Sequence, residues 1–380
     1  MQLVLDEDQE FIAKTARDFA DEHSPISRFR ELRDSGDADG FSRKLWKEMA
    51  ELGWLGIPYP ESLGGAEMGF VELAVVLEAL GRNLAPEPFL SSVVLAGQTL
   101  LLGGSEDQKQ AWIPGLVEGD KLLALAYLEE KSRFDSNRVA TRAEAKGDGW
   151  VIRGDKIQVL DGHVADALIV SARTAGDESD ADGIGLFVVP ADAPGLAVTR
   201  QTRVDHRGAA LVSFDAVEVP ADAAVGEVGA GGALLERVID RATVALGAEM
   251  LGGMSKAFEL TLDYLKERQQ FDVPIGSFQA LKHRAADIFI AIELARSTVM
   301  AAACAVDEDS PELPKLVSAM KVRCSDAYIL AGNEGIQMFG GVGMTDEYDI
   351  GFFLKRARAA ELTFGDAAWH RDRWARLSGY

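Results

Sequence analysis

Several residue types and motifs that mark particular protein classes are scarce in this chain. It has only 2 cysteines, Cys304 and Cys324, and 5 histidines among 380 residues. Neither cysteine stands in a metal-ligand cluster, so we predict two buried structural thiols and no disulfide or metal site. No G-x-S-x-G motif occurs, and neither His163 nor His206 has a nucleophile at a recognisable spacing. Hydrolase and acyltransferase functions therefore have no support.

Positive charge is also in short supply. The 39 lysines and arginines are outnumbered by 61 aspartates and glutamates, which gives a formal net charge of −22. Binding to nucleic acid or to an anionic membrane needs a basic face, because the phosphates to be attracted are negative. The charge balance therefore predicts that neither is a partner.

Long apolar runs are missing from the sequence pattern as well. The N-terminal segment turns acidic at residues 6–8, before the apolar core of a signal peptide can form. No run approaches the roughly 20 residues that a membrane helix needs. We therefore expect a cytoplasmic chain without a membrane anchor.

What the sequence does contain is a change in the spacing of apolar and β-branched residues along the chain. Helical spacing of apolar residues holds through 6–118, short β-branched stretches with close turns fill 121–220, and helical spacing returns after the glycine-rich joint 226–232. This order predicts an α+β fold with an N-terminal all-helical domain (1–120), a middle antiparallel β-barrel or β-sandwich domain (121–228) and a C-terminal four-helix bundle (229–380).

The same patterns predict individual elements. Helices are expected from Asp6, from about Phe41 to Leu52, and near 70–82, 88–103, 106–118, 233–267, 278–306, 312–338 and 350–363. Strands are expected at Leu122–Leu128, Val139–Ala145, Trp150–Val159, Ala167–Ala172, Ile184–Val189, Ala197–Gln201 and Ala210–Val219, with Gly147–Gly149 as a hairpin turn. The tail Trp369–Trp374 is expected to be a helix that packs against a neighbouring element.

Two segments of the C-terminal part carry distinctive motifs. Tyr264–Phe271 and Pro274–Gln279 read Y-x-x-x-R-x-x-F-x-x-P-I-x-x-F-Q, and Gln337–Gly343 reads Q-x-x-G-G-x-G. These motifs, in this order, resemble the acyl-CoA dehydrogenase family, which usually has glycine where this chain has Asp272. A weaker match is Gly149–Lys156. The resemblance extends over the whole chain and is nearest to the small subunit of the pimeloyl-CoA dehydrogenase type.

The resemblance implies a reaction and a cofactor. In that family a carboxylate takes the α-proton of an acyl-CoA thioester while the β-hydrogen leaves as hydride to FAD. We therefore expect an FAD-dependent enzyme that forms a trans-2-enoyl-CoA and passes electrons to an electron-transfer flavoprotein. The sequence does not identify the acyl group of the substrate, and fatty acyl, dicarboxylic and steroid side-chain thioesters are all compatible with the resemblance.

The resemblance also implies which residues each chain lends to its neighbour's flavin. A guanidinium offers paired donors to a diphosphate, and glycines admit close backbone approach. The implied set is Arg268, Phe271, Gln279, Gln337, Gly340 and Gly341. Two simpler interpretations stay open, namely that Arg268 is a solvated cation at a helix end and that the glycine pair only stops a helix.

The residues that would hold the chain's own flavin depart from the family pattern. Where the family has T-E-P-x-A-G-S-D, this chain has Leu128–Asp135, in which only Glu129 and Asp135 persist. The family's W-I-T strand becomes residues 158–160, Gln-Val-Leu, so an indole and a hydroxyl are lost there. Leu128 cannot supply a hydroxyl either, and Phe134 adds bulk. Backbone amides that still bind flavin weakly are the alternative.

The usual positions of the catalytic base are also altered. Phe364 stands where most relatives have glutamate, and Ala242 stands at the position used by others; Arg241 lies two residues early for a CoA contact. Glu249, two helical turns after Ala242 and within an apolar stretch, is the remaining candidate base. A paired structural glutamate between helices is the simpler interpretation of Glu249.

Together these features predict a division of labour between subunits. Residues lent to a neighbour's flavin survive, whereas those for the chain's own chemistry are degraded. We therefore expect the flavin-poor β subunit of an α2β2 enzyme, with a larger acyl-CoA dehydrogenase subunit as partner. A self-sufficient homotetramer with an unusual base and a catalytically silent acyl-CoA-binding or scaffold protein are the alternatives.

Overall fold

The computed structural model describes residues 4–380, which form two compact units. The first comprises the described residues up to Asp34, Gly69–Ala85 and Thr243–Tyr380, and the second comprises Ser35–Met68 and Pro86–Ala242. Both units contain residues of the predicted N-terminal segment. The predicted domain bounds 1–120, 121–228 and 229–380 rest on the residue pattern of the sequence and stay a prediction.

The elements follow the predicted order of helical, β and helical segments. In the described part of the chain the α-helices are α1 (Glu7–His23), α2 (Ile26–Ser35), α3 (Arg43–Glu51), α4 (Phe70–Arg82), α5 (Gly97–Gly103), α6 (Glu106–Val117), α7 (Gly231–Glu267), α8 (Gln279–Asp307), α9 (Leu313–Phe339), α10 (Ile350–Leu362) and α11 (Ala367–Leu377). A π-helical segment, Phe89–Ala96, runs directly into α5. The strands are β1 (Leu123–Ala126), β2 (Arg142–Lys146), β3 (Gly149–Leu160), β4 (Ala167–Arg173), β5 (Ile184–Pro190), β6 (Leu196–Arg200), β7 (Ala209–Val219), β8 (Ala224–Gly229), β9 (Gln269–Gln270) and β10 (Val273–Pro274).

The first unit is helical and includes very close helix contacts. Helix α4 packs against α1 and α8, and α9 packs against α8, α10 and α11. A Cβ atom built on Gly252 of α7 would lie 1.9 Å from the carbonyl oxygen of Glu78 in α4, and one on Gly81 would lie 2.2 Å from that of Glu249. Glycine is therefore required where the backbones of α4 and α7 touch.

The C-terminal segment contains the four predicted bundle helices and the predicted helical tail. The predicted helices appear as α7 to α10, each within two residues of its expected bounds. Helix α11 packs against α9 as a further member, so a simple four-helix bundle does not describe this segment. The carboxylate of Asp366 begins α11 by accepting a hydrogen bond of 2.8 Å from the backbone N–H of Trp369. The predicted helical tail is thus confirmed, and its neighbour is α9.

The second unit is built on one mixed sheet. Its strand order is β6-β7-β3-β2-β4-β5-β8, with β1 paired to β4. The β1–β4 and β2–β4 pairs are parallel, so the sheet is not wholly antiparallel, and its hydrogen-bonded order ends at β6 and β8 instead of closing into a barrel. Turn signals reveal hairpins such as Lys146–Gly149, but they do not reveal which distant strands pair.

Small and branched side chains fill the interior of this sheet. The buried cluster is Ala124, Ala126, Ala143, Ile152, Val159, Ala165, Leu168, Val170, Ala172, Phe187, Val189, Ala210, Val212, Phe214, Val217, Val219 and Ala223. Strand β7 alternates buried and exposed positions over most of its length, as expected for a strand with one face on a core.

Helix α8 is more apolar than the sequence pattern indicated. By length and composition alone it could cross a membrane, and 44% of its most apolar 18-residue window is buried inside the chain. The sequence interpretation that no apolar run approaches this length was therefore wrong for α8. A core helix of a soluble protein meets the same measure, so the finding carries little weight for a membrane. Cys304 and Cys324 are both buried and are not joined in a disulfide, as predicted for structural thiols.

Candidate functional site

The two C-terminal motifs meet through aromatic side chains in the first unit. The ring of Tyr264, which opens the first motif, stacks on Phe339 of the second with centroids 4.2 Å apart and planes 13° apart. Tyr348 packs edge-on against both rings, at 5.9 Å from Tyr264 and 5.3 Å from Phe339. The end of α7, which leads into Arg268, and the end of α9, which leads into Gly340, are thereby held side by side.

A tight hairpin presents the first motif. Strands β9 and β10 pair antiparallel with Val273 opposite Gln270, and the two turn residues between them, Phe271 and Asp272, have φ of 54° and 61°. Both therefore lie in the left-handed region, which suits a two-residue hairpin and which aspartate tolerates better than most residues. This explains how Asp272 stands where the related motif has glycine. The turn carries the Phe271 ring outward, 86% exposed.

The side chains of this hairpin are available to a partner from outside the chain. The guanidinium of Arg268 is exposed and forms no hydrogen bond or ion pair with any residue that the structure describes. The ring of Phe271 is met only edge-on by Phe278, with centroids 6.0 Å apart. Gln279 at the start of α8 and Gln337 in the last turn of α9 are exposed as well.

The glycine pair after α9 forms the other side of this locality. Gly340 has φ 69° and ψ −143°, a conformation that a side chain would strain. A Cβ atom built on Gly340 or Gly341 would meet nothing within 4 Å. Packing inside the chain therefore does not explain why Gly341 lacks a side chain, whereas approach of a molecule from outside would.

The corresponding residues of the second unit fit a flavin ring poorly. Leu128 brings no hydroxyl, and the guanidinium of Arg133 lies over the Phe134 ring at 5.1 Å. The backbone N–H of Ile157 donates to the carbonyl of Leu128 at 2.8 Å, and that of Gln158 donates to Oε1 of Gln201 at 3.0 Å. Not only are the expected hydroxyls lost; these two amides are already used inside the chain.

Glu129, one of the two retained residues of that segment, has a structural role. Its Oε1 accepts a hydrogen bond from Lys156 Nζ at 2.6 Å, and its carboxylate also accepts from the N–H groups of Ala140 and Thr141 at 2.7 and 3.1 Å. Burial lowers the pKa of Lys156 to about 8 although the Glu129 carboxylate opposes that shift. Burial alone would raise the pKa of Glu129, but Lys156 and the two amides outweigh it and the pKa is lowered.

Sequence reasoning missed the role of Lys156, although the weaker motif Gly149–Lys156 contains it. The ammonium also donates to Ser171 Oγ at 3.0 Å and is fully buried. The available signal was the alternation along β3, which places Lys156 on the same face as the apolar Ile152 and opposite Arg153 and Asp155. A buried ammonium on that face needs a carboxylate partner.

Glu249 is buried in α7 and is already engaged. Its Oε1 accepts a hydrogen bond of 3.0 Å from Nη1 of Arg356 in α10, and both side chains are more than nine-tenths buried. This geometry agrees with the interpretation of a paired glutamate between helices. Its assignment as a catalytic base stays a prediction. Ala242, the other position considered for a base, is fully buried.

The turn that carries Phe364 is held from inside the first unit. Lys321 of α9 is fully buried, and its Nζ donates to the carbonyls of Ala360, Glu361 and Gly365 at 3.0, 2.9 and 2.8 Å. Burial lowers the pKa of this ammonium to about 7. Phe364 itself is buried with φ 62°, so its ring is packed within the protein and brings no proton acceptor to the turn.

His370 completes the support of this turn. Its Nε2 lies 3.0 Å from the carbonyl oxygen of Phe364, which requires Nε2 to carry the proton, and Nδ1 lies 3.4 Å from Ser318 Oγ. Burial, together with the nearby Lys321 charge, lowers the pKa of His370 to about 3. No sequence signal identified either residue, because both stand among ordinary helical positions.

Comparisons with known proteins agree with this arrangement of domains. Family models described as acyl-CoA dehydrogenase N-terminal, middle and C-terminal domains match residues 6–120, 124–217 and 229–378. The chain is 30% identical over 376 residues to the probable acyl-CoA dehydrogenase YngJ of Bacillus subtilis, covering 98% of both chains.

Two solved structures are similar over the entire length of both chains. One is from the ChsE4-ChsE5 complex of Mycobacterium tuberculosis, with a TM-score of 0.90, 30% identity and 100% coverage of each chain. The other is butyryl-CoA dehydrogenase from Megasphaera elsdenii, with a TM-score of 0.93, 25% identity and 100% coverage of each chain.

Proposed function

This chain belongs to the acyl-CoA dehydrogenase family, a family of FAD-dependent oxidoreductases, and from that premise we propose that it is the flavin-poor subunit of a heteromeric enzyme. The enzyme has α2β2 composition and oxidises an acyl-CoA thioester to the trans-2-enoyl-CoA. This chain completes a flavin site whose greater part, with the catalytic base, belongs to a larger partner subunit. An electron-transfer flavoprotein accepts the electrons, and the complex works in the cytoplasm.

A single contrast inside the chain supports this proposal. Arg268 and the exposed ring of Phe271 stand ready for a molecule from outside, beside the open positions of Gly340 and Gly341. In the second unit, by contrast, Leu128 and the internally bonded Gln158 amide offer little to a flavin ring. A chain that had lost all flavin function would have no reason to retain an unpaired guanidinium beside an exposed phenylalanine in a strained turn.

These residues fit the diphosphate and adenine end of FAD. When bound, FAD supplies the hydride acceptor for the oxidation. The guanidinium of Arg268 would hold the diphosphate through paired donors, and Phe271 would cover the cofactor and keep water away. Gly340 and Gly341 leave the backbone accessible to it. None of these groups moves a proton, so they provide binding and orientation only.

The surface next to this locality supports assembly with another protein. Phe271, Phe278, Phe289, Ile290 and Leu294 are exposed along the hairpin and α8. Such an apolar face is unusual on a chain that acts alone, and the charged residues on the same helix favour a protein partner over lipid. The ChsE4-ChsE5 structure, one of the similar structures, is described as a complex. A larger acyl-CoA dehydrogenase subunit is the partner we propose.

The second candidate is a self-sufficient homotetramer that uses Glu249 as its base. The burial of Glu249 favours it, since a desolvated carboxylate is a stronger base. The ion pair with Arg356 weighs against it, because a guanidinium stabilises the charged carboxylate. A silent acyl-CoA-binding or scaffold protein is the third candidate.

Flavin content separates the three candidates. The chain is expressed alone and together with a larger acyl-CoA dehydrogenase subunit, and flavin per polypeptide is measured from visible absorbance. We expect a nearly colourless chain alone and a flavin-loaded complex. A full complement of flavin in the isolated chain would place the homotetramer first. Failure of the pair to associate or to hold more flavin than the larger subunit alone would favour the scaffold.

A further inference from the structure

We infer that Arg30, Arg33 and Asp346 form a clamp that positions the glycine turn Gly340–Gly343 for the flavin of the neighbouring subunit. The inference rests on the proposed function and names positioning residues for the same site. None of the three would touch the flavin; they act through the segment that follows the turn. All of the contacts lie within the first unit.

The clamp joins α2 to the segment between α9 and α10. Nη1 and Nη2 of Arg33 donate to the two carboxylate oxygens of Asp346, each at 2.7 Å. Nη1 of Arg30 donates to the backbone carbonyl of Asp346 at 2.7 Å and to its Oδ2 at 3.1 Å, while Nη2 donates to Asp349 at 2.7 Å. One carboxylate and one carbonyl are thus fixed by two guanidinium groups.

The two arginines are themselves held in place. Their guanidinium carbons lie 4.6 Å (Arg30) and 4.8 Å (Arg33) from the centroid of the Phe352 ring. Phe352 also meets Phe29 of α2 edge-on at 5.4 Å. Because both forks are stacked on one buried ring, they lose little further freedom when they bind Asp346.

This arrangement is stronger than an ordinary surface ion pair. Isolated exposed pairs contribute little, but a bidentate fork within a network is the exception. The Arg33 side chain is only 12% exposed. Its hydrogen bonds lower the pKa of Asp346 to about 2, although the Asp346 side chain is 60% exposed.

The held segment needs such an anchor. Met344 is 80% exposed, and residues 344–348 bury little surface of their own apart from the contacts of Tyr348. Tyr348 is fixed by the rings of Tyr264 and Phe339. The aromatic cluster therefore holds the far end of the segment, and the clamp holds its middle. When the aromatic cluster and the clamp are both formed, the backbone of the glycine turn is restricted to one conformation.

Substitution of Asp346 tests the clamp by two measurements. The variants are Asp346→Asn, which removes the charge, and Asp346→Glu, which keeps a carboxylate. Asp326→Asn is the matched control, because Asp326 pairs with Arg371 elsewhere in the same unit. Amide hydrogen exchange of residues 340–349 is measured on the full chain, and FAD dissociation is measured on the complex with the larger subunit.

We expect Asp346→Asn to speed exchange in 340–349 and to weaken FAD binding, each on the order of fivefold. Asp346→Glu should restore most of the slow exchange and most of the FAD affinity. Asp326→Asn should change neither the exchange rate nor the FAD affinity. Unchanged exchange in Asp346→Asn, or faster exchange with unchanged FAD affinity, overturns the inference. If the unsubstituted chain adds no flavin to its partner, the proposed function is what fails, and the exchange measurement alone then decides whether the clamp holds the turn.

Discussion

Glu249 and Arg356 form a buried ion pair that ties α7 to α10 across 3.0 Å. A carboxylate in such a pair contributes to stability in a way that can be separated from catalysis. Glu249→Gln removes the negative charge that Glu249 places beside the buried guanidinium of Arg356, so we expect a loss of about 3–5 kcal/mol in the free energy of unfolding. We expect turnover of the complex, per folded molecule, to stay unchanged, because in the proposed function the base belongs to the partner subunit.

Chemical unfolding and steady-state kinetics measure these two effects on the same preparation. Glu259→Gln is the control, since Glu259 forms an ion pair with Arg82 at a half-exposed position. Glu259→Gln should lower the free energy of unfolding by no more than about 1 kcal/mol. If Glu249→Gln abolishes turnover in a complex that remains folded, Glu249 is the catalytic base and the proposed division of labour is wrong.

His370 should make the chain sensitive to acid. The folded-state pKa of about 3 lies below the ordinary value of 6.5, so the unfolded state binds more protons between these two values. Stability from this group is therefore present above pH 6.5 and is lost as the pH falls toward 3, by up to about 5 kcal/mol. In His370→Gln we expect a shallower fall of the melting temperature over this window.

The comparison uses the difference between variant and unsubstituted chain at each pH, because carboxylates contribute to both curves alike. Gln can still donate to the Phe364 carbonyl, so the turn retains that hydrogen bond. Parallel curves for the two proteins between pH 3.5 and 6.5 would mean that His370 is not kept neutral by the fold.

Gly252 should tolerate no side chain. A Cβ atom there would lie 1.9 Å from the Glu78 carbonyl oxygen, so Gly252→Ala must push α4 away from α7. We expect a loss of at least about 2 kcal/mol in the free energy of unfolding, or failure to fold. Gly351→Ala in α10 is the control, because a Cβ atom there meets nothing within 4 Å. Helix propensity should make that variant neutral or slightly more stable, and equal melting temperatures for both variants would refute the close contact.

Arg268 should matter to flavin binding and not to folding. Its guanidinium has no partner within the described part of the chain, so Arg268→Gln should leave the melting temperature of the isolated chain unchanged. In the complex, loss of the diphosphate contact should weaken FAD binding by about tenfold or more. Lys266→Gln, an exposed change two residues away, is the control for net charge. Equal FAD affinity in all three complexes would remove Arg268 from the site.

The sequence predicted the bounds of the long helices better than it predicted which distant elements pack or pair with one another. Periodicity located α7 to α10 within two residues, because apolar spacing along a helix is a local property. It did not predict α2, whose ten residues have few apolar positions, or the parallel pairing of β1 with β4, which depends on distant strands. The open sheet was missed for the same reason, whereas α11 was expected as the helical tail.

For the candidate site, motif resemblance located the outward-facing residues, and spacing could not show what holds them. Arg268 and the glycine pair stand out in sequence because they match the motifs of the family. The clamp on Asp346 joins residues more than 300 positions apart, and Lys321 binds carbonyl oxygens that every residue possesses. Contacts of that kind leave no pattern in one sequence.

The contacts of Lys321 and His370 have a consequence for how this chain could diverge. Both side chains form hydrogen bonds with main-chain carbonyls of the turn, and these bonds involve none of the turn's side chains. These hydrogen bonds to the backbone do not depend on which side chain stands at position 364. A glutamate could be exchanged for phenylalanine there without rebuilding the turn, so a catalytic chain could become a silent one by a single replacement while keeping every surface that its partner recognises.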